Sequence, residues 1–277
     1  MIDPADADQL ARLLRKHRID LKHRLGQNFL VDAGLRDSVA DALDGTHDDD
    51  VIEVGAGVGT LTIALADRCR RVVAVELDHS LIPALREVVK GRDGVEIVES
   101  DILKVDLTRR YPEGGELVAG NIPYNLTGAL IRKVLDRPPR PRRLSLVVQK
   151  EVAERWTATT GASLATVAVQ VFATARYAFT IPAASFTPEP RVDSALVVLE
   201  VRDEPAVNVP DMDSFFRLVE AVFQFRRKQL GGALGRIAGV GSEAAAKRLR
   251  DAGIDPERRA QTLTLDEWKS LYLRFAG

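Results

Sequence analysis

An apolar strand that runs straight into a glycine-rich turn and a helix constrains this chain more than any other stretch. The strand is predicted at 50–54, the turn is Gly55-Ala56-Gly57-Val58-Gly59, and the helix begins at Thr60. Glycines at such a turn let the backbone approach a ligand closely. The spacing is G-x-G-x-G rather than the G-x-G-x-x-G of dinucleotide-binding proteins. The turn therefore predicts an α/β sheet with a site for a nucleoside cofactor that lacks a pyrophosphate.

Three further apolar strands each lead to a polar residue. The strands predicted at 72–75, 95–98 and 116–120 are followed by Glu76, Asp101 and Asn121. Glu76 lies about twenty residues beyond the glycines, where an acid can accept hydrogen bonds from both ribose hydroxyls, and Asp101 can bind an adenine amine. Because open α/β sheets bind ligands at the carboxyl ends of their strands, these residues predict one shared site.

The segment Asn121-Ile122-Pro123-Tyr124 carries the predicted chemistry. Proline disfavours a helical conformation at Ile122, so the chain turns at the end of the strand. The Asn121 side-chain oxygen and the Ile122 backbone oxygen can accept both hydrogens of an aromatic amine, and a base can stack on Tyr124. The amine lone pair is then free to attack the sulfonium methyl of S-adenosylmethionine. Taken alone, the tetrapeptide also fits a proline turn with an inward-packed tyrosine.

Two other segments could border this site. Gln27 and Asn28 stand between a glycine and an apolar pair, and could either fold over a ligand or belong to an arm docked on the core. Phe186 opens F-T-P-E-P-R, where two prolines fix the backbone and could hold the ring at the mouth of the site. The alternative is a core phenylalanine that precedes a strand.

Composition and charge narrow the class of protein. The 277 residues are 45% apolar and 29% charged, with net charge −1 and one cysteine, Cys69, which excludes an intramolecular disulfide and a Cys-based zinc site. The N-terminal residues are acidic, whereas a targeting segment would begin with basic residues followed by an apolar stretch. No apolar run is long enough to cross a bilayer. We expect a cytoplasmic protein, a monomer, without a metal ion or a membrane partner.

Basic residues are grouped in three islands, which suggest a local polyanion footprint, although each also fits a solvated helix face. The islands span residues 12–24, 132–143 and 226–228. Composition shifts to proline, acid and asparagine between Asp203 and Pro210, after which the pattern is helical. We therefore predict two domains, an α/β domain at 1–203 and a small all-α domain at 204–277.

With these residues in hand, the chain resembles the small-subunit ribosomal RNA adenine N6,N6-dimethyltransferase family over nearly its whole length. The matching segments are 26–30 (G-Q-N-F-L), 53–59, 76–78 (E-L-D), Asp101, 121–125 (N-I-P-Y-N), 149–153 (Q-K-E-V-A), 186–194 (F-T-P-E-P-R-V-D-S) and 225–228 (F-R-R-K). The resemblance implies a Rossmann-like S-adenosylmethionine-dependent methyltransferase domain that dimethylates two neighbouring adenines near the 3′ end of small-subunit rRNA, in an assembling small subunit.

The resemblance also implies roles for individual residues. Tyr124 and Phe186 would hold the flipped adenine, Asn121 and Ile122 would bind its amine, and the basic islands would bind phosphates. The implied cofactor-binding residues are Gln27, Asn28, Leu30, Gly55, Gly57, Glu76, Leu77, Asp101, Ile102 and Asn121.

The chain departs from the family pattern at two places, 161–166 (G-A-S-L-A-T) and 126–128 (L-T-G), and neither carries a proposed methyl-transfer group. The alternatives are a large-subunit rRNA adenine methyltransferase, which shares the N-x-P-Y and F-x-P-x-P segments, and a ribosome-assembly factor that binds RNA without catalysis. A DNA adenine methyltransferase would need a larger recognition domain. A nicotinamide oxidoreductase is disfavoured by the glycine spacing.

Overall fold

The computed structural model describes residues 2–20, 27–107 and 116–275. Contacts between Cα atoms divide the chain into two compact units, one formed by Met1–Glu154 with Ala175–Val201 and the other by Arg155–Thr174 with Arg202–Gly277. The chain passes for the last time from the first unit to the second after Val201, two residues before the boundary predicted at 203. Residues 155–174, which the sequence assigned to the first domain, group instead with the C-terminal unit. No described helix is both long and apolar enough to cross a bilayer.

The first unit contains an α/β sheet built from alternating strands and helices. Its helices are α1 (Ala7–Lys16), α2 (Ala33–Asp41), α3 (Thr60–Ala66), α4 (Ile82–Val88) and α5 (Thr127–Leu135), and α6 (Lys150–Thr157) runs out of it. Its strands are β1 (Phe29–Leu30), β2 (Asp50–Val54), β3 (Arg71–Glu76), β4 (Val95–Glu99), β5 (Leu117–Asn121), β6 (Arg143–Gln149), β7 (Ala173–Ile181), β8 (Phe186–Thr187) and β9 (Ser194–Val201).

The seven-stranded sheet has the order β4-β3-β2-β5-β6-β9-β7, and β1 pairs separately with β8. The pairs from β4 to β6 are parallel, whereas β9 is antiparallel to β6. The chain builds outward from β2 to β4 and then returns to place β5 on the other side of β2. The carboxyl ends of β2 and β5 thus flank a crevice where the strand order reverses, which is the usual ligand position in open α/β sheets. This architecture confirms the predicted Rossmann-like fold class.

Buried aliphatic residues explain why the central strands are parallel and covered on both faces. The central strands carry side chains that are 0% exposed, as expected for strands covered by helices on both faces. Examples are Val51, Val72, Leu117 and Leu144. One apolar cluster joins Val72 of β3 to residues of α2 and α3, and a second joins Ala74, on the same face of β3, to Leu10 and Leu13 of α1. The sheet is therefore a rigid platform for the residues that follow its strands.

The second unit is helical, with α7 (Leu164–Phe172), α8 (Met212–Gln224), α9 (Leu230–Ile237), α10 (Ser242–Asp251) and α11 (Leu265–Phe275). Rings form its centre: Phe172 stacks on Phe216 with centroids 5.6 Å apart, and Phe215 meets Tyr272 edge-on at 5.7 Å. The predicted capping box begins α11, since Thr264 N donates to Glu267 Oε2 at 2.8 Å and Glu267 N donates to Thr264 Oγ1 at 3.3 Å.

The altered segment at 161–166 has a structural role within this helical unit. The Ser163 hydroxyl accepts a hydrogen bond from Thr166 N at 3.1 Å and so caps the N-terminus of α7. A Cβ atom at Gly161 would lie 2.7 Å from Trp268 Nε1 and 2.8 Å from Val167 Cγ2, so this position has no room for a larger residue. The segment therefore closes the packing around a buried tryptophan.

Candidate active site

A pocket opens at the crevice between the ends of β2 and β5. It is lined by the predicted cofactor residues Gln27, Asn28, Leu30, Gly55, Gly57, Glu76, Leu77, Asp101, Ile102 and Asn121, and also by Glu53, Thr60, Leu103, Pro123 and Asn125, among others. The structure thus brings all ten predicted cofactor residues to one cavity, although they come from five separate stretches of the chain.

The glycine turn forms the floor of the pocket through a backbone that other residues rarely adopt. Gly55 and Gly57 have φ angles of 72° and 59°, in the left-handed region that favours glycine. A Cβ atom on Gly57 would lie 3.0 Å from the Phe29 ring of the N-terminal arm. The turn can therefore approach both the arm and a ligand closely, as its spacing predicts.

Glu76 is held at the end of β3 by two backbone donors. Gly57 N donates to one carboxylate oxygen and Asp78 N to the other, both at 2.8 Å. Burial raises the pKa of Glu76, while these hydrogen bonds oppose that shift. Each carboxylate oxygen keeps a second lone pair, so the carboxylate can still accept one hydrogen bond from each of two hydroxyl groups. This geometry fits a ribose.

The N-terminal arm crosses the pocket and is fastened on both sides of it. Gln27 Nε2 donates to Asp78 Oδ2 at 2.8 Å, and the Asn28 carbonyl accepts from Asn121 Nδ2 at 2.7 Å. Leu30 pairs with Phe186 where β1 meets β8. The arm is therefore part of the site, which favours the ligand-covering interpretation of Gln27 and Asn28.

Apolar side chains beyond β3 and β4 form a wall of the pocket. Leu77 is 57% exposed and Leu103 is 36% exposed, which is unusual for large aliphatic side chains that also line a cavity. Between them in the lining, the Asp101 carboxylate accepts a hydrogen bond from Leu103 N at 3.0 Å. Exposed aliphatic groups beside a fixed carboxylate suit a flat base with an exocyclic amine. Together with Glu76, these residues fit an adenosine-containing cofactor.

Asn121 presents its side-chain oxygen in a fixed direction. Because the Asn28 backbone oxygen can only accept, the Asn121 atom that contacts it must be the amide nitrogen. Among the described residues, no group donates a hydrogen bond to Asn121 Oδ1. Ile122 N donates to Val147 O at 3.0 Å and fixes the backbone that follows. The site can therefore offer an oriented acceptor at the sheet edge.

Tyr124 is half-buried, and its hydroxyl lies 3.0 Å from Ser194 Oγ. Burial raises the pKa of the phenol, so the ring remains neutral near physiological pH. Tyr124 and the 1% exposed Ile122 adjoin the pocket in sequence but do not line it, whereas Pro123 between them does. Two of the predicted catalytic residues therefore stand beside the cavity that holds the cofactor residues.

The structure does not place Phe186 at the mouth of the site. Its side chain is 3% exposed and belongs to the core cluster that includes Leu30, Ile181 and Leu196. The antiparallel pairing of β8 with β1 fixes the backbone of Phe186, and its ring packs within this apolar cluster. The alternative of a core phenylalanine before a strand describes the residue in this structure.

Glu53 is a site residue that the sequence analysis did not single out. It lies inside β2, is 1% exposed, lines the pocket and accepts a hydrogen bond from Thr62 Oγ1 at 2.5 Å. Burial raises its pKa to about 8, and the neighbouring Glu76 charge adds to this shift. An acid within an otherwise apolar strand was the signal that could have identified it.

Most arginines of the island at 132–143 pair with groups of the protein itself, which lowers the positive charge that this island presents to a phosphate. The described contacts pair Arg132 with Asp136, Arg142 with Asp49, and Arg143 with both Asp44 and Glu200, and Arg140 Nε donates to Leu135 O. In the first island Lys16 pairs with Glu87, and Lys22 and Arg24 lie outside the described residues. Arg226, Arg227 and Lys228 are exposed, with no ion pair to any described residue.

Comparisons with known proteins agree on one family. A family profile described as ribosomal RNA adenine dimethylase matches residues 18–276. Ribosomal RNA small subunit methyltransferase A of Pelotomaculum thermopropionicum is 41% identical and covers 98% of this chain and 97% of its own length. The protein of the same name from Geobacter metallireducens is also 41% identical, with 93% of this chain and 96% of its own length covered.

Solved structures give the same fold. The 23S rRNA methyltransferase ErmE has a TM-score of 0.68 and 28% identity, and covers 90% of this chain and 100% of its own. A dimethyladenosine transferase from Plasmodium falciparum has a TM-score of 0.71 and 24% identity, and covers 90% of this chain and 97% of its own. Both similarities extend over nearly the whole chain.

Proposed function

This chain belongs to the ribosomal RNA adenine dimethylase family, and from that premise we propose that it dimethylates N6 of two adjacent adenines in the 3′-terminal hairpin loop of small-subunit rRNA. It is a methyltransferase, and its cofactor is S-adenosyl-L-methionine. When bound, that cofactor supplies an electrophilic methyl group. The observation that carries the proposal is the oriented Asn121 oxygen beside a pocket that fits an adenosine cofactor.

The protein's contribution to methyl transfer is to bind and orient the adenine amine. Asn121 Oδ1 and the Ile122 carbonyl accept its two hydrogens, which reduces delocalisation of the nitrogen lone pair into the ring. The hydrogen bond from Asn121 Nδ2 to Asn28 O fixes the acceptor before the substrate arrives. Such preorganised dipoles cost no reorganisation during the reaction, and no strong base is needed.

Tyr124 provides the stacking surface for the adenine. A base inside a folded RNA cannot reach a methyl donor, so it has to leave its stack, and an aromatic ring compensates for part of the lost stacking energy. The ring position beside Asn121, with its hydroxyl held by Ser194, supports this role. The buried position of Phe186 supports a structural role for that residue.

The choice of the small-subunit target rests on relatives and on one segment of the chain. Relatives named for the small subunit are 41% identical, whereas the 23S rRNA methyltransferase ErmE is 28% identical. The F-R-R-K segment at 225–228, in which the three cations are exposed, resembles the small-subunit enzymes. Binding to an assembling small subunit, a role in its biogenesis, a monomeric state and a cytoplasmic location belong to the same proposal, the last supported by the single cysteine.

The direct test is transfer of labelled methyl from S-adenosyl-L-methionine to small subunits from cells that lack this modification, with naked large-subunit rRNA assayed beside them. We expect N6,N6-dimethyladenosine only in the small-subunit rRNA. Label in the large-subunit rRNA would instead favour the 23S alternative. Tight binding without label in either would indicate an assembly factor without catalysis.

Replacing Arg226, Arg227 and Lys228 together with glutamine should weaken RNA binding and reduce its salt dependence. If each cation neutralises one phosphate, the slope of log K against log salt should fall by about 2. The matched control removes three exposed charges elsewhere in the same unit, in Lys247→Gln/Arg248→Gln/Arg250→Gln on α10. An equal change in both variants would show a response to net charge rather than a local footprint.

A further inference from the structure

Ser194 is a fully buried hydroxyl residue whose described side-chain hydrogen bond is to Tyr124. It is 0% exposed, and its Oγ lies 3.0 Å from the Tyr124 hydroxyl across seventy residues of sequence. A buried hydroxyl without a hydrogen-bond partner destabilises the fold, and the Tyr124 phenol provides that partner for Ser194. The hydrogen bond to Tyr124, rather than apolar packing in the core, therefore accounts for a serine at this buried position.

The sheet register places Ser194 at the edge where the candidate active site lies. Ser194 is the first residue of β9 and pairs with Gln149, the last residue of β6. Two residues earlier on β6, Val147 pairs with Asn121 at the end of β5. Ser194 thus lies on the sheet two strands from Asn121, with β6 between them, and further toward the ligand edge.

The other hydrogen bonds recorded at this turn end on main-chain atoms rather than on the Tyr124 ring. Leu126 N donates to Pro123 O at 2.8 Å, and Thr127 Oγ1 donates to Tyr124 O at 3.3 Å. Neither contact restrains rotation about the Cα–Cβ bond, since both end on main-chain atoms. Among the described residues, the hydrogen bond to Ser194 is the one recorded for the far end of the ring.

We propose that Ser194 is a positioning residue, which holds the Tyr124 ring in the orientation that the substrate adenine stacks on. This inference rests on the proposed function and adds a residue that does not touch the substrate or the cofactor. A ring fixed in advance loses no side-chain entropy when the base arrives, whereas a free ring does. The hydrogen bond thereby connects the first residue of β9 to substrate alignment.

The kinetic test is a double-mutant cycle between Ser194→Ala and Tyr124→Phe, each of which removes the same hydrogen bond. We expect each variant to lose about tenfold in kcat/KM for the RNA, in line with one hydrogen bond, with the loss mainly in kcat. The double variant should lose no more than either single variant. Ser145→Ala is the matched control, because Ser145 is equally buried in β6 but donates to Val39 O. It should keep parental kinetics.

A second measurement does not depend on methyl transfer. In protein with ¹³C-labelled tyrosine, the Tyr124 ring signal, identified by its loss in Tyr124→Phe, should show restricted rotation in the parent and averaging in Ser194→Ala. If the parent transfers no methyl group, the proposed function is wrong, but the ring signal still tests whether Ser194 holds the Tyr124 ring. Parental activity in Ser194→Ala, additive losses in the double variant, or an unchanged ring signal would each overturn the inference.

Discussion

Asn121→Ala is expected to lower the rate of methyl transfer by about a hundredfold to a thousandfold, the loss found when one preorganised hydrogen-bonding group is removed from a site of developing charge. The substitution removes the oriented Oδ1 acceptor and leaves the Ile122 carbonyl as the remaining acceptor for the amine. Single-turnover transfer of labelled methyl to the unmodified small subunit measures this loss directly. Saturating cofactor and RNA exclude a contribution from weaker binding.

Stability and cofactor binding should change far less in the same variant. The variant removes the hydrogen bond from Asn121 Nδ2 to Asn28 O, which costs about 1 kcal/mol in the free energy of unfolding. Cofactor affinity, measured by calorimetry without RNA, should fall by no more than about tenfold, since Glu76 and Asp101 are untouched. Asn208→Ala, at an exposed position in the other unit, is the control and should match the parent. Parallel losses of melting temperature and activity in Asn121→Ala would identify Asn121 as structural.

The positions of the cofactor residues could be predicted because strand periodicity and glycine spacing are local signals. Glu76, Asp101 and Asn121 each follow an apolar strand, and a parallel sheet necessarily brings such residues to one edge. The position of the N-terminal arm could not be predicted from local signals alone. Its route across the pocket depends on the hydrogen bond from Gln27 to Asp78, fifty-one residues away. The family resemblance, rather than the pattern of residues, provided Leu30, Leu77 and Ile102.

Features that depend on partners distant in sequence were missed or misplaced. Phe186 follows the strand pairing of β8 with β1, which no local pattern encodes. The arginines at 142 and 143 are neutralised by acids near 44–49 and at 200, so counting nearby acids overestimated the free charge of that island. Residues 155–174 join the C-terminal unit through contacts such as Phe172 with Phe216, more than forty residues apart.

The pH dependence of stability should change markedly in Glu53→Gln. The pKa of Glu53 is raised from 4.5 to about 8 by burial, so the folded protein keeps this proton where the unfolded chain loses it. The contribution of Glu53 to stability is therefore complete below pH 4.5 and is lost as the pH rises to about 8. A shift of this size corresponds to on the order of 5 kcal/mol in the free energy of unfolding.

Urea unfolding of parent and Glu53→Gln between pH 5 and pH 8 tests this, because the titration of groups that do not interact with Glu53 cancels in the difference. Glutamine keeps the shape and can still accept from Thr62, but it carries no charge at any pH. We expect the variant to gain stability relative to the parent steadily up to pH 8. Glu99→Gln, the same change at an exposed position that ends β4, should follow the parent. If the stability difference between Glu53→Gln and the parent stays constant from pH 5 to pH 8, burial does not raise the pKa of Glu53 and the prediction is wrong.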